Sequence, residues 1–162
     1  MYRLPFSART RRASAIATIL GLLACATALA PAASADRVYH SQHLVLTPVG
    51  SAPLRSGFVE NIKAEGPMVY AHELFVLNGA SPSTTYTVVR NFFYLEPECS
   101  GDAFVEEVTD LRTNAAGNGR SDFFVRPADV AGFEGLSGVY FAVTDETGSV
   151  LYRTACSAVT LD

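Results

Sequence analysis

The sequence predicts an all-β protein, a single antiparallel sandwich or barrel of about seven or eight strands. Three observations predict it. Runs rich in Val, Tyr, Phe, Thr and Leu alternate with turn residues through most of the chain. After residue 35 no segment shows a sustained helical spacing of apolar residues. The composition, 49% apolar and 17% charged over 162 residues, is that of one packed domain.

The first 35 residues predict a secretory signal peptide. Residues 1–12 carry four arginines and no acid, residues 13–35 carry no charge, and Ala33-Ser34-Ala35 stands before Asp36. A basic start, an apolar stretch and a small-x-small site, in that order, are typical of an export leader. We expect cleavage between Ala35 and Asp36, which leaves residues 36–162 as the β-sandwich domain.

Three alternatives stay open for this leader. The uncharged run of 23 residues is long enough to span a bilayer if it is not cleaved. The sequence Leu-Leu-Ala-Cys ending at Cys25 resembles a lipobox, which would make a lipid-anchored protein of the cell envelope. The pair Arg11-Arg12 is a partial match to a twin-arginine export signal.

Loss of the leader makes the remaining chain acidic. Four of the 12 basic residues leave with it, so 8 basic residues face 16 acidic ones and the formal net charge becomes −8. Nucleic acids and anionic membrane surfaces attract clustered Lys and Arg, so neither is expected as a partner. An extracellular protein or a glycan is the expected kind of ligand, and no membrane span is expected after residue 35.

The cysteines predict one disulfide. Cys25 leaves with the leader, and Cys99 and Cys156 remain as a pair in an oxidising compartment. The pair has no C-x-x-C spacing and no adjacent His, so a metal-binding or redox role is not favoured. A bridge over this long loop stabilises the fold by about 4 kcal/mol in the chain-entropy treatment.

The strands follow from the apolar runs and the turns between them. Two hairpins are expected, one around the turn at residues 145–148 and one around the Asn- and Gly-rich loop at residues 114–119. Large apolar residues on both faces of the fourth run indicate a central strand or a bulge. A helical turn or loop is expected at residues 126–132. The predicted strands are residues 38–46, 57–64, 68–77, 85–95, 103–111, 121–126, 139–144 and 149–161.

The segment Pro82-Ser83-Thr84-Thr85-Tyr86-Thr87-Val88 resembles a corner of immunoglobulin and fibronectin type III sandwiches, which often read Pro-x-Thr-x-Tyr-x-Val. The resemblance implies an immunoglobulin-like fold in which the hydroxyl of Tyr86 bonds to the backbone a few residues upstream. The chain departs from antibody domains because it has no Trp and because Tyr152 lies four residues before Cys156. The whole pattern also resembles small exported actinobacterial proteins of unassigned function.

Known catalytic motifs are missing from the sequence. There is no G-x-S-x-G, P-loop, G-x-G-x-x-G or H-E-x-x-H pattern. His40 and His43 are three apart, so on a strand they face opposite sides, and His72 belongs to another strand. We therefore predict no catalytic, cofactor-binding or metal-binding residues, and leave open whether the three histidines converge.

Two further sets of residues, one acidic and one aromatic, are weaker candidates for a functional site. Glu96, Glu98 and Asp102 surround Cys99 in a predicted loop, and Glu106 and Glu107 are neighbours that should diverge on a strand. The runs at residues 92–94 and 123–124 place an aromatic side chain on each strand face. One of each set could lie outside as a binding surface, but the preferred interpretation is a two-sided strand within the core.

Two main functions remain. The preferred one is a non-enzymatic, exported binding or structural module of the cell envelope or extracellular space. The other is a small secreted enzyme or inhibitor, which predicts a concave pocket with titratable groups of shifted pKa. Metal carriage is a third and weaker hypothesis, and it requires the histidines to converge.

Overall fold

The computed structural model describes residues 40–66 and 68–162. The predicted leader, with Cys25 and the cleavage site between Ala35 and Asp36, lies outside these residues. The described part consists of ten strands and one short helix: β1 His40–Val45, β2 Thr47–Pro48, β3 Ser56–Lys63, β4 Ala71–Asn78, β5 Thr85–Phe93, β6 Phe104–Arg112, β7 Gly119–Val125, α1 Pro127–Val130, β8 Gly135–Thr144, β9 Val150–Arg153 and β10 Ser157–Leu161. The all-β prediction is confirmed.

The strands form two antiparallel sheets. The four-stranded sheet has the order β1-β3-β4-β7, and the six-stranded sheet has the order β2-β9-β8-β5-β6 with β10 also paired to β8. Buried side chains from both sheets meet in one core, where the rings of Phe75 and Phe141 lie 5.5 Å apart. Burial of such apolar area is the main stabilising contribution to the fold.

Two predicted strands differ from the structure. The first, at residues 38–46, ends at Val45, and the next residue, Leu46, is buried and donates its N–H to the carbonyl of Gly57. Past this residue the chain leaves β3 and pairs with β9 in the other sheet. The run at residues 149–161 is divided at Thr154–Cys156, so the strand count exceeds the predicted seven or eight.

The hairpin predicted around residues 114–119 is wrong. β6 pairs with β5 and β7 pairs with β4, so the two strands belong to different sheets and share one isolated bridge, from Thr113 to Gly119. The place of β7 beside β4 is a long-range pairing that a local pattern does not reveal. The hairpin of β8 and β9 around residues 145–148 is confirmed.

The position of β5 explains why this strand carries large apolar residues on both faces. It lies between β8 and β6, and its register with β6 shifts between Val88 and Val89. Val88 pairs with Thr109 and Val89 pairs with Glu107, so the extra residue at this shift, Val108, belongs to β6. Of the two sequence interpretations, the central strand is therefore the one that the structure has.

The disulfide joins Cys99, in the loop after β5, to Cys156, between β9 and β10. The two Cα atoms lie 6.0 Å apart, within the range that a disulfide accepts. The predicted disulfide pair is therefore present in the fold.

Candidate functional site

The candidate site begins with an acid on the buried face of β4. Along this strand the buried positions are Ala71, Glu73, Phe75 and Leu77, and the side chains between them are half-buried. Because successive side chains on a strand alternate in direction, Glu73 points between the sheets with the core residues. Glu73 is only 3% exposed.

An ion-pair network joins the two sheets at Glu73. Arg90 of β5 donates from Nη1 to Glu73 Oε1 at 2.8 Å and from Nη2 to Glu106 Oε2 of β6 at 2.5 Å. The guanidinium also lies 5.6 Å from the ring centre of Phe123. One cation thus holds two carboxylates, and the network carries one net negative charge when both acids are ionised.

Burial changes the protonation of this network. Loss of water raises the pKa of Glu73 above its ordinary value, although the charge and hydrogen bond of Arg90 act in the opposite direction. For Arg90, burial lowers the pKa, but the attraction of Glu73 and Glu106 outweighs it and the pKa is raised. Glu73 is therefore easier to protonate, and Arg90 harder to deprotonate, than the same groups in water.

Asn61 of β3 stands directly opposite Glu73 in the register of the four-stranded sheet. Opposite residues on one face of a sheet have their Cβ atoms about 5 Å apart. Asn61 is 6% exposed, and neither its Oδ1 nor Glu73 Oε2 has a hydrogen-bond partner among the described residues. Buried oxygens without partners are costly and uncommon, so the adjacent pair requires an explanation.

Both oxygens belong to residues that line a pocket between the sheets. The pocket has a volume of about 80 Å³, which is room for several water molecules or a small organic group. Its polar side is formed by Asn61, Lys63, Glu73 and Arg90. Its other lining residues are Tyr70, Ala71, Phe92, Phe104, Val125, Asp129, Phe133, Val139, Val159 and Leu161.

Aromatic rings surround Phe133 beside this pocket. The ring of Phe133 lies 5.8 Å from Phe92, 5.7 Å from Tyr94 and 6.4 Å from Phe104. Phe133 follows α1 and donates its N–H to the carbonyl of Val130, so the helical turn positions this ring. Phe104 is 60% exposed and Tyr94 is 44% exposed, so the cluster reaches the surface. We refer to these four residues as the aromatic rim.

The other charges beside the pocket are already paired. Lys63 donates to the carbonyl of Thr160 and lies 3.6 Å from Asp162 and 3.8 Å from Glu65. Asp129 accepts from Arg126 at 2.8 Å, which lowers the pKa of this carboxyl. Because these charges already have partners, a charged group that enters the pocket would interact mainly with the network of Glu73.

His43 and His72 do not converge. His43 pairs with Glu60 at 2.8 Å, and His72 pairs with Asp122 at 3.3 Å, on the outer face of the four-stranded sheet. The ring of His72 stacks on Phe124, with centres 4.4 Å apart. Among the described residues no three His, Cys, Asp or Glu side chains are grouped to hold a metal ion.

The aromatic runs divide between core and surface. Phe93 is buried while Tyr94 is exposed, and Phe123 is half-buried while Phe124 is 51% exposed. Each run therefore places one ring outside, as one of the two sequence interpretations predicted. In the acidic loop, Glu96 accepts from Ser100 at 2.9 Å.

The central network was not predicted from the sequence. Glu106 was considered only as the neighbour of Glu107, and Arg90 and Asn61 were not considered. A signal was present, because Glu73 stands in phase with Phe75 and Leu77 on an alternating strand. The contact of Glu73 with Arg90 had no local signal, since it joins different sheets.

Across residues 40–66 and 68–162 no helix is long and apolar enough to cross a membrane. No protein family and no curated protein matched the sequence. Among solved structures, the chain is similar to the alkylpurine DNA glycosylase AlkC of Pseudomonas fluorescens bound to DNA containing an abasic-site analogue. The identity is 18%, the match covers 56% of this chain and 26% of that chain, and the TM-score is 0.35. A likeness of this size carries no argument about the fold or the function.

Proposed function

We propose that this protein is an exported, disulfide-stabilised immunoglobulin-like β-sandwich that binds a small ligand, or the small end of a larger one, in the pocket between its sheets. The leader-like residues 1–35 and the Cys99–Cys156 bridge support export, because stable disulfides belong to oxidising compartments. The processed protein is then secreted, or held at the cell envelope if Cys25 is lipidated.

The immunoglobulin-like class rests on two features. The chain crosses between two antiparallel sheets around a common core, as sandwich domains do. At the corner between β4 and β5, the hydroxyl of Tyr86 accepts from the N–H of Ser81 at 3.2 Å. A hydroxyl bond to backbone five residues upstream is what the Pro82–Val88 resemblance implies.

The observation that carries the binding function is the pair of buried, unpartnered oxygens on Asn61 and Glu73. Sites for small ligands combine apolar walls with a few converging polar groups. This pocket combines aromatic lining residues with the polar network. A ligand that satisfies the two oxygens would remove the cost of their burial.

The experiment is a thermal-shift screen of the exported protein against amines, monosaccharides, amino acids and short peptides. We expect at least one compound to raise the melting temperature, since a ligand at about 100 times its Kd stabilises a fold by about 2.7 kcal/mol. Ala71→Leu, which adds atoms to the lining of the pocket, should remove that effect. Val76→Leu, on the outer face of the same strand, is the matched control.

Two results would contradict the proposal. One is a screen in which no compound stabilises the wild type. The other is a compound that stabilises Ala71→Leu as much as the wild type, because its site would then lie elsewhere. Export is tested separately by the intact mass of the protein from its host, which should begin at Asp36 or at a lipidated Cys25.

A small secreted enzyme is the second candidate, and one observation favours it. The pocket contains a carboxyl of raised pKa, which is the property of a general acid. Binding remains our preference because Arg90 already holds one oxygen of Glu73, and the described lining residues include no Ser, Thr, Cys or His as nucleophile. Mass spectrometry of any ligand found, before and after incubation with wild type and Glu73→Gln, separates the two.

A further inference from the structure

We propose that the pocket recognises a primary ammonium group carried on an apolar or aromatic body. This inference rests on the proposed binding function and gives its ligand a chemical class. The ammonium would donate to Glu73 Oε2 and Asn61 Oδ1, and the apolar body would lie against the aromatic rim.

The atoms left without a partner indicate the kind of group that would bind. Glu73 Oε2 and Asn61 Oδ1 are both oxygens, and both lie on residues buried to more than nine-tenths. Oxygens of this kind accept hydrogen bonds, so the matching group must donate. An ammonium has three donors and no acceptor, and two of them can serve these two neighbouring oxygens.

The second step is the sign of the local charge. Glu73 and Glu106 share one cation, Arg90, which leaves one negative charge in that network. Lys63 faces two carboxylates, those of Glu65 and Asp162. A cationic head group is favoured by both networks, whereas a carboxylate head group would add a like charge where little water remains.

The third observation concerns the aromatic part of the pocket lining. Phe92, Phe104 and Phe133 line the pocket, and Phe104 is also exposed beside it. Aromatic faces attract both apolar groups and nearby cations. An ammonium attached directly to an apolar body therefore fits both the polar and the aromatic parts of the lining.

The test uses three probes of nearly the same size and shape that differ in their head group. They are benzylammonium, benzyl alcohol and benzoate, titrated at neutral pH into the exported, disulfide-bonded protein. Binding is followed by the amide signals of Asn61 and Glu73 in ¹H–¹⁵N spectra. We expect saturable shifts with benzylammonium, at an affinity at least tenfold above that of the alcohol, and weaker binding still for benzoate.

Two variants connect the selectivity to the named atoms. Glu73→Gln keeps an oxygen for Arg90 and removes the charge, so the preference for benzylammonium over benzyl alcohol should fall below threefold. Asn61→Leu should lower the affinity for benzylammonium by threefold or more. Glu60→Gln, beside Asn61 on β3 but on the outer face, should leave both affinities unchanged.

Three results on the wild type would overturn the inference, and none depends on a variant that folds. They are benzoate binding as tightly as benzylammonium, benzyl alcohol binding equally well, and no saturable shift with benzylammonium. A pocket that prefers benzoate or benzyl alcohol still binds a ligand, so those results leave the proposed function standing. That function fails only if the wider screen also finds no compound whose effect Ala71→Leu removes.

Discussion

At the residue scale, Glu73 is a buried carboxyl group whose burial costs free energy. A carboxylate that leaves water loses solvation, and only one of its two oxygens receives a hydrogen bond from Arg90. A hydrophobic residue at this position would pack with Phe75 without that cost. Buried charges that do not improve packing commonly have another role, and here the pocket beside Glu73 provides one.

The pH dependence of stability reports on this residue. The pKa of Glu73 is raised by burial, so the native state binds more protons than the unfolded state from pH 4.5, the ordinary value, up to the raised pKa. Stability falls with rising pH wherever the native state binds more protons. The contribution of Glu73 is therefore greatest below pH 4.5 and is lost as the pH rises through the raised pKa.

We expect the free energy of unfolding of the wild type, relative to Glu73→Gln, to decrease as the pH rises through this window. The change amounts to about 1.4 kcal/mol for each unit by which the pKa is raised. Urea unfolding of both proteins at several pH values measures it. If the free energy of unfolding of the wild type instead increased relative to that of the variant as the pH rises, the ion pair with Arg90 would outweigh the effect of burial on the pKa of Glu73.

At the element scale, the corner between β4 and β5 brings the network together. The chain leaves the four-stranded sheet after Asn78 and enters the six-stranded sheet at Thr85. Gly79 adopts a φ of +69° in this turn, and a Cβ there would lie 2.8 Å from that of Arg55. The turn reverses the chain so that Glu73 and Arg90, 17 residues apart, meet between the sheets.

Tyr86 is the anchor of this corner. Tyr86→Phe removes the oxygen that accepts from Ser81, and we expect a loss of about 1–3 kcal/mol because a part-buried donor is left unpaired. Tyr94→Phe removes a hydroxyl from a surface ring in the same sequence region, and should change stability by less than about 0.5 kcal/mol. Urea unfolding compares the two, and equal effects would mean that the corner hydrogen bond is not important for stability.

At the scale of the whole molecule, the disulfide is a covalent link between two segments that are distant in sequence. Cys99 and Cys156 are separated by 57 residues, and the bridge ties the loop after β5 to the segment between β9 and β10. Gly138 of β8 allows this close approach, because a Cβ there would lie 2.5 Å from the carbonyl oxygen of Glu96 and 2.9 Å from the sulfur of Cys99.

Loss of the bridge should lower the free energy of unfolding by about 4 kcal/mol, from the loop entropy returned to the unfolded chain. Guanidinium unfolding of the oxidised protein and of the variant Cys99→Ser/Cys156→Ser measures this difference. Reductant should destabilise the wild type and leave the double variant unchanged. A double variant as stable as the wild type would show that the bridge stabilises nothing beyond the sheets themselves.

The all-β class, the β8–β9 hairpin, the disulfide pair and the buried side of most strands could be read from the sequence. Each depends on local patterns: alternation along a strand, turn residues between runs, or a pair of cysteines with one connectivity. The two apolar faces of β5 also indicated a central strand as one of two interpretations, and the strand is central.

The tertiary structure alone decided which strands share a sheet. β6 and β7 look like a hairpin in sequence, yet each is paired with an earlier strand. Strand β2 forms at Thr47–Pro48, outside the predicted strands, after Leu46 enters the core and the chain changes sheet. The pocket depends on the same long-range pairing of strands. Glu73, Asn61 and Arg90 are ordinary polar residues in the sequence, and they form a site only because long-range pairing buries them together between two sheets.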